Sequence, residues 1–176
     1  GLMKKFETLK KYIRDIPDFP KKGIIFKDIT PLLKDKVALR KVIDILAREY
    51  AKKKIKYVVA VESRGFIFGT ALACKLGVGF VPVRKKGKLP AKTTSVTYDL
   101  EYGQDTLEIH TDALKAGDRV LIVDDLLATG GTVQGVVKLV KGLGARVAGV
   151  AFVIELAFLQ GRDKLKGLPV FSIIQY

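Results

Sequence analysis

Apolar positions along this chain follow two patterns. Three short continuous runs, YVVAV at 57–61, VLIVDD at 120–125 and RVAGVAFVIEL at 146–156, predict strands of a sheet covered on both faces. VGFVPV at 78–83 and a segment near 169–174 predict two more strands. Elsewhere the spacing is helical. Over 35–53, Val37, Leu39, Val42, Ile43, Ile45, Leu46 and Tyr50 line one face, and lysine and arginine fill the other. GFIFGTALACKLG (65–77) and residues 131–142 predict two further helices. TTSVTYDL and TLEIHT alternate around EYGQD, the pattern of a β-hairpin. Near the start, Phe6, Leu9, Tyr12 and Ile13 predict a helix over 5–15, closed by Pro17 and Pro20. The stretch 17–33, PDFPKKGIIFKDITPLL, reads as a loop holding the apolar triplet Ile24-Ile25-Phe26. Strands alternating with helices give an α/β fold, a central mostly parallel sheet flanked by helices. At 176 residues, 1–176 is expected to form one domain.

Composition narrows the class. A hydrophobic fraction of 48% supports a packed core and excludes global disorder. No apolar run reaches the ~18–20 residues of a membrane-spanning helix, so no membrane partner is expected. One cysteine, Cys74, excludes an internal disulfide and a cysteine-based zinc site, and fits a reducing cytoplasm. Charge changes the picture more. The chain carries 32 basic and 18 acidic residues, net +14. Residues 1–56 hold net +10, 57–92 net +6, and 93–176 net −2. A basic first half suggests an anionic partner: nucleic acid, a membrane surface or a phosphorylated small molecule.

The segment VLIVDDLLATGGT (120–132) decides among these. Its order is buried strand, two carboxylates, small-residue loop, helix. Backbone N–H groups of Ala128, Thr129, Gly130, Gly131 and Thr132 can converge on a phosphate at the helix N-terminus, where the helix dipole favours an anion. The adjacent Asp124 and Asp125 would repel that phosphate unless they hold a cation or accept hydrogen bonds from sugar hydroxyls. A ribose 5-phosphate satisfies both groups. The spacing fits neither a Walker loop, which needs a lysine after its second glycine, nor a dinucleotide fingerprint, whose acidic residue lies well downstream.

The segment resembles the phosphoribosyl pyrophosphate signature of the type I phosphoribosyltransferases. Four further segments follow the adenine branch of that family in order: 17–33, a small N-terminal hood; ESRGFIFG (62–69), a pyrophosphate loop; RKKGKLP (84–90), a basic loop; and YDLEYGQDTLEIH (98–110), a β-hairpin flap spanning about 93–111. The resemblance covers nearly the whole chain. It implies transfer of the phosphoribosyl group from 5-phosphoribosyl-1-pyrophosphate to adenine, giving AMP and pyrophosphate, with Mg²⁺ held mainly through substrate and a homodimer as the working unit.

The resemblance also implies roles. Asp124 and Asp125 take the ribose hydroxyls, and 128–132 takes the 5-phosphate. Glu62, Ser63, Arg64, Arg84 and Lys88 serve the pyrophosphate, with a cis peptide between Glu62 and Ser63. Backbone groups of Ile25 and Lys27 read the adenine edge while Phe26 stacks on its face. Lys27 is a departure, since the family commonly has arginine there. Glu101 would meet the proton leaving the purine, with Tyr102 lining the closed site. His110 reads as an ordinary strand residue. Two other readings remain open: a transferase for a 6-oxopurine or another base, and a nucleic-acid-binding regulator using the basic surface, which nothing in the motifs requires.

Overall fold

The computed structural model describes residues 6–99 and 103–176. The strands are β1 (Arg14–Pro17), β2 (Ile25–Asp28), β3 (Tyr57–Val61), β4 (Gly79–Lys85), β5 (Thr93–Asp99), β6 (Gln104–His110), β7 (Arg119–Leu127), β8 (Arg146–Glu155) and β9 (Val170–Gln175). The α-helices are α1 (Thr30–Lys34), α2 (Lys36–Tyr50), α3 (Arg64–Leu76) and α4 (Gly131–Gly142). Short 3₁₀ turns occupy Glu7–Tyr12, Ala157–Leu159 and Gly161–Leu165.

Seven strands form the main sheet in the order β5-β6-β4-β3-β7-β8-β9. The pairs from β4 through β9 are parallel, and β6 joins β4 antiparallel, bringing the hairpin partner β5 with it. The continuous apolar runs follow from coverage on both faces. Val58 and Leu121 pack with α2 and α3 against Val42, Leu46, Phe68 and Leu72. Their neighbours Val59 and Ile122 pack on the other face against Val133, Val136 and Val140 of α4. Asp35 starts α2 by accepting hydrogen bonds from the N–H groups of Val37 and Ala38, at 3.1 and 2.9 Å.

Two expectations fail at the N-terminus. The helix expected over 5–15 is a 3₁₀ turn, and Arg14–Pro17 is extended. The stretch read as a loop contains β2, paired antiparallel with β1, and the short helix α1. Six residues make too short a segment to hold an α-helix by themselves, so tertiary pairing decides. Arg14 bonds Asp28 through Nε at 3.0 Å and Nη2 at 2.7 Å across this pair. The hood is therefore a small two-stranded sheet beginning at Arg14, three residues before the expected boundary.

Strand order sets the crevice. From β3 the chain moves through α3 to β4 on one side. It later enters β7 on the other side of β3 and continues outward to β8 and β9. At such a reversal the loops after the two central strands diverge and leave an opening at their carboxyl ends. The register Ala60↔Val123 places Glu62 and Ser63 beside Asp124 and Asp125 at that opening.

Candidate active site

A cavity of about 450 Å³ opens at the carboxyl ends of β3 and β7. Its lining includes Glu62, Ser63, Arg64, Asp124, Asp125 and the whole loop Ala128–Thr132. Two residue groups picked from separate stretches of sequence thus meet in one place. Lys85, from the basic loop segment 84–90, lines it as well.

Two helices point their N-termini here. α3 starts after Ser63 and α4 after Gly130, and neither has a side-chain cap. Their first N–H groups have no intrahelical partner, so both ends present open donors and the positive end of a dipole. Gly130 adopts φ +90°, a left-handed conformation at the N-cap of α4 that glycine takes without strain. Gly65 allows α3 to approach β7: a Cβ there would stand 2.9 Å from Asp124 Oδ1. The Glu62–Ser63 peptide is cis, as the resemblance implies, and so is Phe19–Pro20.

The acidic pair is electrostatically strained. Burial first, then the charge of Asp125, holds the Asp124 carboxyl well above the ordinary aspartate range. The Asp125 N–H donates to Asp124 Oδ1 at 2.8 Å, which fixes the side chain. Arg64 Nε donates to Asp125 Oδ2, and its guanidinium carbon lies 5.4 Å from the centre of the Phe26 ring. In this structure Arg64 therefore bridges the acidic pair and the hood.

Glu62 plays a supporting part. Its carboxylate accepts from Arg84 Nε at 3.1 Å and from the Lys85 N–H at 2.9 Å. Burial raises its pKa, but the Lys85 N–H and the Arg84 charge outweigh that and leave it lowered. Glu62 thus orients Arg84 at the edge of the cavity. Lys88 lies in the following turn, its N–H bonded to the Lys85 carbonyl at 3.2 Å, and its charge also favours ionised Glu62. Neither Arg84 nor Lys88 lines the cavity itself.

The hood residues lie outside that lining, with Phe26 joined to the site through Arg64. Pro17 stands opposite Ile25 and has no N–H to give it. Hydrogen-bonding pairs alternate along an antiparallel ladder, so Ile16↔Phe26 is the bonded phase. The backbone groups of Ile25 and Lys27 then face the open edge of β2. Phe19, Ile24 and Ile25 are exposed there, an apolar surface left open among the described residues. The Lys27 side chain turns elsewhere. Its Nζ bonds Asp15 at 2.7 Å and lies 3.9 Å from the centre of the Tyr176 ring. The lysine-for-arginine departure therefore falls on a side chain that ties the hood to the last strand.

β5 and β6 form the expected hairpin, and Tyr98 of β5 packs beside Gly135 of α4. Glu101 and Tyr102 lie outside the described residues. His110 accepts from the Ala91 N–H through Nε2 at 3.2 Å, a structural role. Among the described residues no three His, Cys, Asp or Glu side chains gather into a metal cage.

Residues 29–173 match the phosphoribosyl transferase domain. An adenine phosphoribosyltransferase of Carboxydothermus hydrogenoformans is 61% identical over 168 residues, covering 96% of this chain and 99% of its own length. The crystal structure of adenine phosphoribosyltransferase from Thermoanaerobacter pseudethanolicus superimposes with a TM-score of 0.94 at 56% identity, covering 98% of this chain and 100% of that one. The Saccharomyces cerevisiae enzyme, complexed with an imino-altritol bisphosphate and adenine, superimposes with a TM-score of 0.90 at 45% identity, covering 96% and 97%.

Proposed function

Since this chain belongs to the phosphoribosyltransferase family, in its adenine branch and with its type I fold, we propose that the cavity between β3 and β7 is where a phosphoribosyl group passes to adenine. The reaction is pentosyl transfer: adenine and 5-phosphoribosyl-1-pyrophosphate give AMP and pyrophosphate. One observation carries the site assignment. The uncapped N-terminus of α4 and the Asp124–Asp125 pair open on one cavity, and a ribose 5-phosphate has the two halves they need.

In this reading the loop 128–132 seats the 5-phosphate through its N–H groups, with Thr129 and Thr132 as hydroxyl donors. Asp124 and Asp125 accept the ribose hydroxyls, which relieves their mutual repulsion. Pyrophosphate lies at the N-terminus of α3, near the Glu62–Ser63 peptide, and draws Arg64 away from Asp125. Arg84, held by Glu62, and Lys88 add positive charge as the leaving group gains negative charge. Asp124 and Asp125 face the ribosyl cation that develops at C1′ and stabilise it.

Mg²⁺ fits this donor set. It binds through one or two carboxylates plus substrate phosphates rather than an all-protein cage. Of the three carboxylates lining the cavity Glu62 is paired with Arg84, which leaves Asp124 and Asp125, and among the described residues no cage stands beside them. Held mainly through substrate oxygens beside Asp124 and Asp125, Mg²⁺ would neutralise charge on the leaving pyrophosphate.

Adenine lies along the open edge of β2. The Lys27 N–H donates to purine N1, the Ile25 carbonyl accepts from the exocyclic amine, and Phe26 stacks on the ring. A 6-oxopurine reverses both partners and leaves them unpaired. Glu101 takes or stabilises the proton released from the imidazole ring, with Tyr102 beside it. The hood (about 17–33) and flap (about 93–111) cover one catalytic domain spanning 1–176, and excluding water suppresses hydrolysis of the sugar substrate. A homodimer in the cytoplasm fits the resemblance and the lone cysteine. Among the described residues no helix is long and apolar enough to cross a membrane. Nucleic acid is not proposed as a partner, because the two arginines at the site are matched to acidic residues, Arg64 to Asp125 and Arg84 to Glu62.

Base competition tests the reading of β2. With adenine, hypoxanthine, guanine and uracil present together, adenine is expected to be consumed at least about 10³-fold faster than any other. Hypoxanthine consumed within tenfold of adenine would remove the backbone reading of Ile25 and Lys27.

A further inference from the structure

The phosphate loop has an electrostatic deficit. Residues 128–132 contain no basic side chain, and a phosphate seated there lies close to Asp124 and Asp125. A helix N-terminus contributes roughly half a positive charge, less than a phosphate dianion requires. The cations nearest the cavity are engaged: Arg64 with Asp125, Arg84 with Glu62, and Lys85 with Asp105 at 3.7 Å.

Lys164 is placed differently. Its Nζ lies 3.9 Å from where a Cβ on Gly131 would stand, beside the first residue of α4. Among the described residues it has no ion pair. Its position is held by the fold. Lys164 belongs to the 3₁₀ turn Gly161–Leu165, whose Leu165 is buried in the core. A Cβ on Gly161 would stand 2.4 Å from the Ala128 carbonyl oxygen, so the turn and the loop are in backbone contact. Arg162 anchors the turn from behind through three bonds of 2.8 to 3.0 Å to the Glu155 carboxylate. The Tyr98 ring reaches within 4.0 Å of the same point beside Gly131, so the exposed Lys164 side chain and β5 both approach the start of α4 at the rim of the cavity rather than in its lining.

We propose that Lys164 is a ligand of the 5-phosphate, its ammonium supplying the positive side chain that the loop lacks. The proposal rests on the reading of 128–132 as the phosphate cradle. Lys164 then selects for a phosphorylated sugar, and its contribution follows the phosphate rather than the base or the pyrophosphate.

Calorimetric titration with AMP and with adenosine separates the possibilities, because the two differ only in the 5-phosphate. Lys164→Gln is expected to weaken AMP binding about tenfold and leave adenosine binding within about twofold of the parent protein. Lys164→Arg is expected to keep AMP affinity within about threefold, since the charge remains. Raising ionic strength should narrow the gap between Lys164→Gln and the parent. AMP bound equally well by Lys164→Gln and the parent overturns the proposal, as does an equal loss for AMP and adenosine. A parent protein that binds AMP no tighter than adenosine removes the cradle itself, and this assignment with it.

Discussion

Asp124→Asn is expected to lose about 10²–10³-fold in kcat/KM for the sugar pyrophosphate, with the fold intact. The substitution keeps an oxygen able to accept the Asp125 N–H, the bond that now fixes the side chain. It removes a carboxylate that burial and Asp125 already destabilise, so the folded state loses nothing large. What disappears is a charge facing the ribose hydroxyls and the cation that develops at C1′. The adenine KM should change little, because the base lies at β2. Steady-state kinetics with each substrate varied in turn, alongside a thermal melt, reads all three quantities. Near-parental kcat/KM in a folded variant would take Asp124 out of the site.

Gly161→Ala should disturb the same chemistry from outside the cavity. Its Cβ would stand 2.4 Å from the Ala128 carbonyl oxygen and 2.9 Å from Leu127 Cδ1. The first of these is backbone, so the clash cannot be relieved by turning a flexible side chain. Its own carbonyl oxygen lies 2.7 Å from where a Cβ on Gly130 would stand, so turn and loop are matched from both sides. Either the 3₁₀ turn or the phosphate loop must move. Overpacking of this kind costs about 1–3 kcal/mol, which lowers the melting temperature by roughly 2–12 °C in a chain of this size. Displacing the cradle should raise the KM for the sugar pyrophosphate more than about tenfold and cost about 10²-fold in kcat/KM. An unchanged KM and melting temperature would show that the two segments are not coupled as the packing indicates.

The central sheet was legible because its strands are covered on both faces. Val58 and Val59 face opposite layers, and each must be apolar. The cradle and acidic pair were legible because chemistry and backbone geometry fall in one contiguous stretch, 120–132. The hood's structure was not. Arg14–Pro17 and Ile25–Asp28 become strands only by pairing with each other, and neither carries an alternating pattern long enough to announce it. Helical spacing at Phe6, Leu9, Tyr12 and Ile13 reported which side faces the core, and the segment meets that demand with a six-residue 3₁₀ segment.

Partnerships were less visible than positions. Arg64 and Arg84 lie near the expected place, but which carboxylate each meets depends on β3 having β7 on one side, for Arg64 and Asp125, and β4 on the other, for Arg84 and Glu62, a tertiary fact. Lys27 bonds Asp15 and packs on Tyr176, a residue 149 positions away in the chain. Gly161 and Lys164 carry no motif at all. Their importance comes from a backbone contact with Ala128, and one sequence offers no signal for it.

The most direct test of the account is product formation. The purified protein is incubated with adenine, 5-phosphoribosyl-1-pyrophosphate and Mg²⁺, and AMP and pyrophosphate are quantified with and without a chelator. The account predicts AMP and pyrophosphate in equal amounts, abolished by chelator and restored by excess Mg²⁺. Release of pyrophosphate with free ribose 5-phosphate and no AMP, or no turnover under any of these conditions, would contradict it.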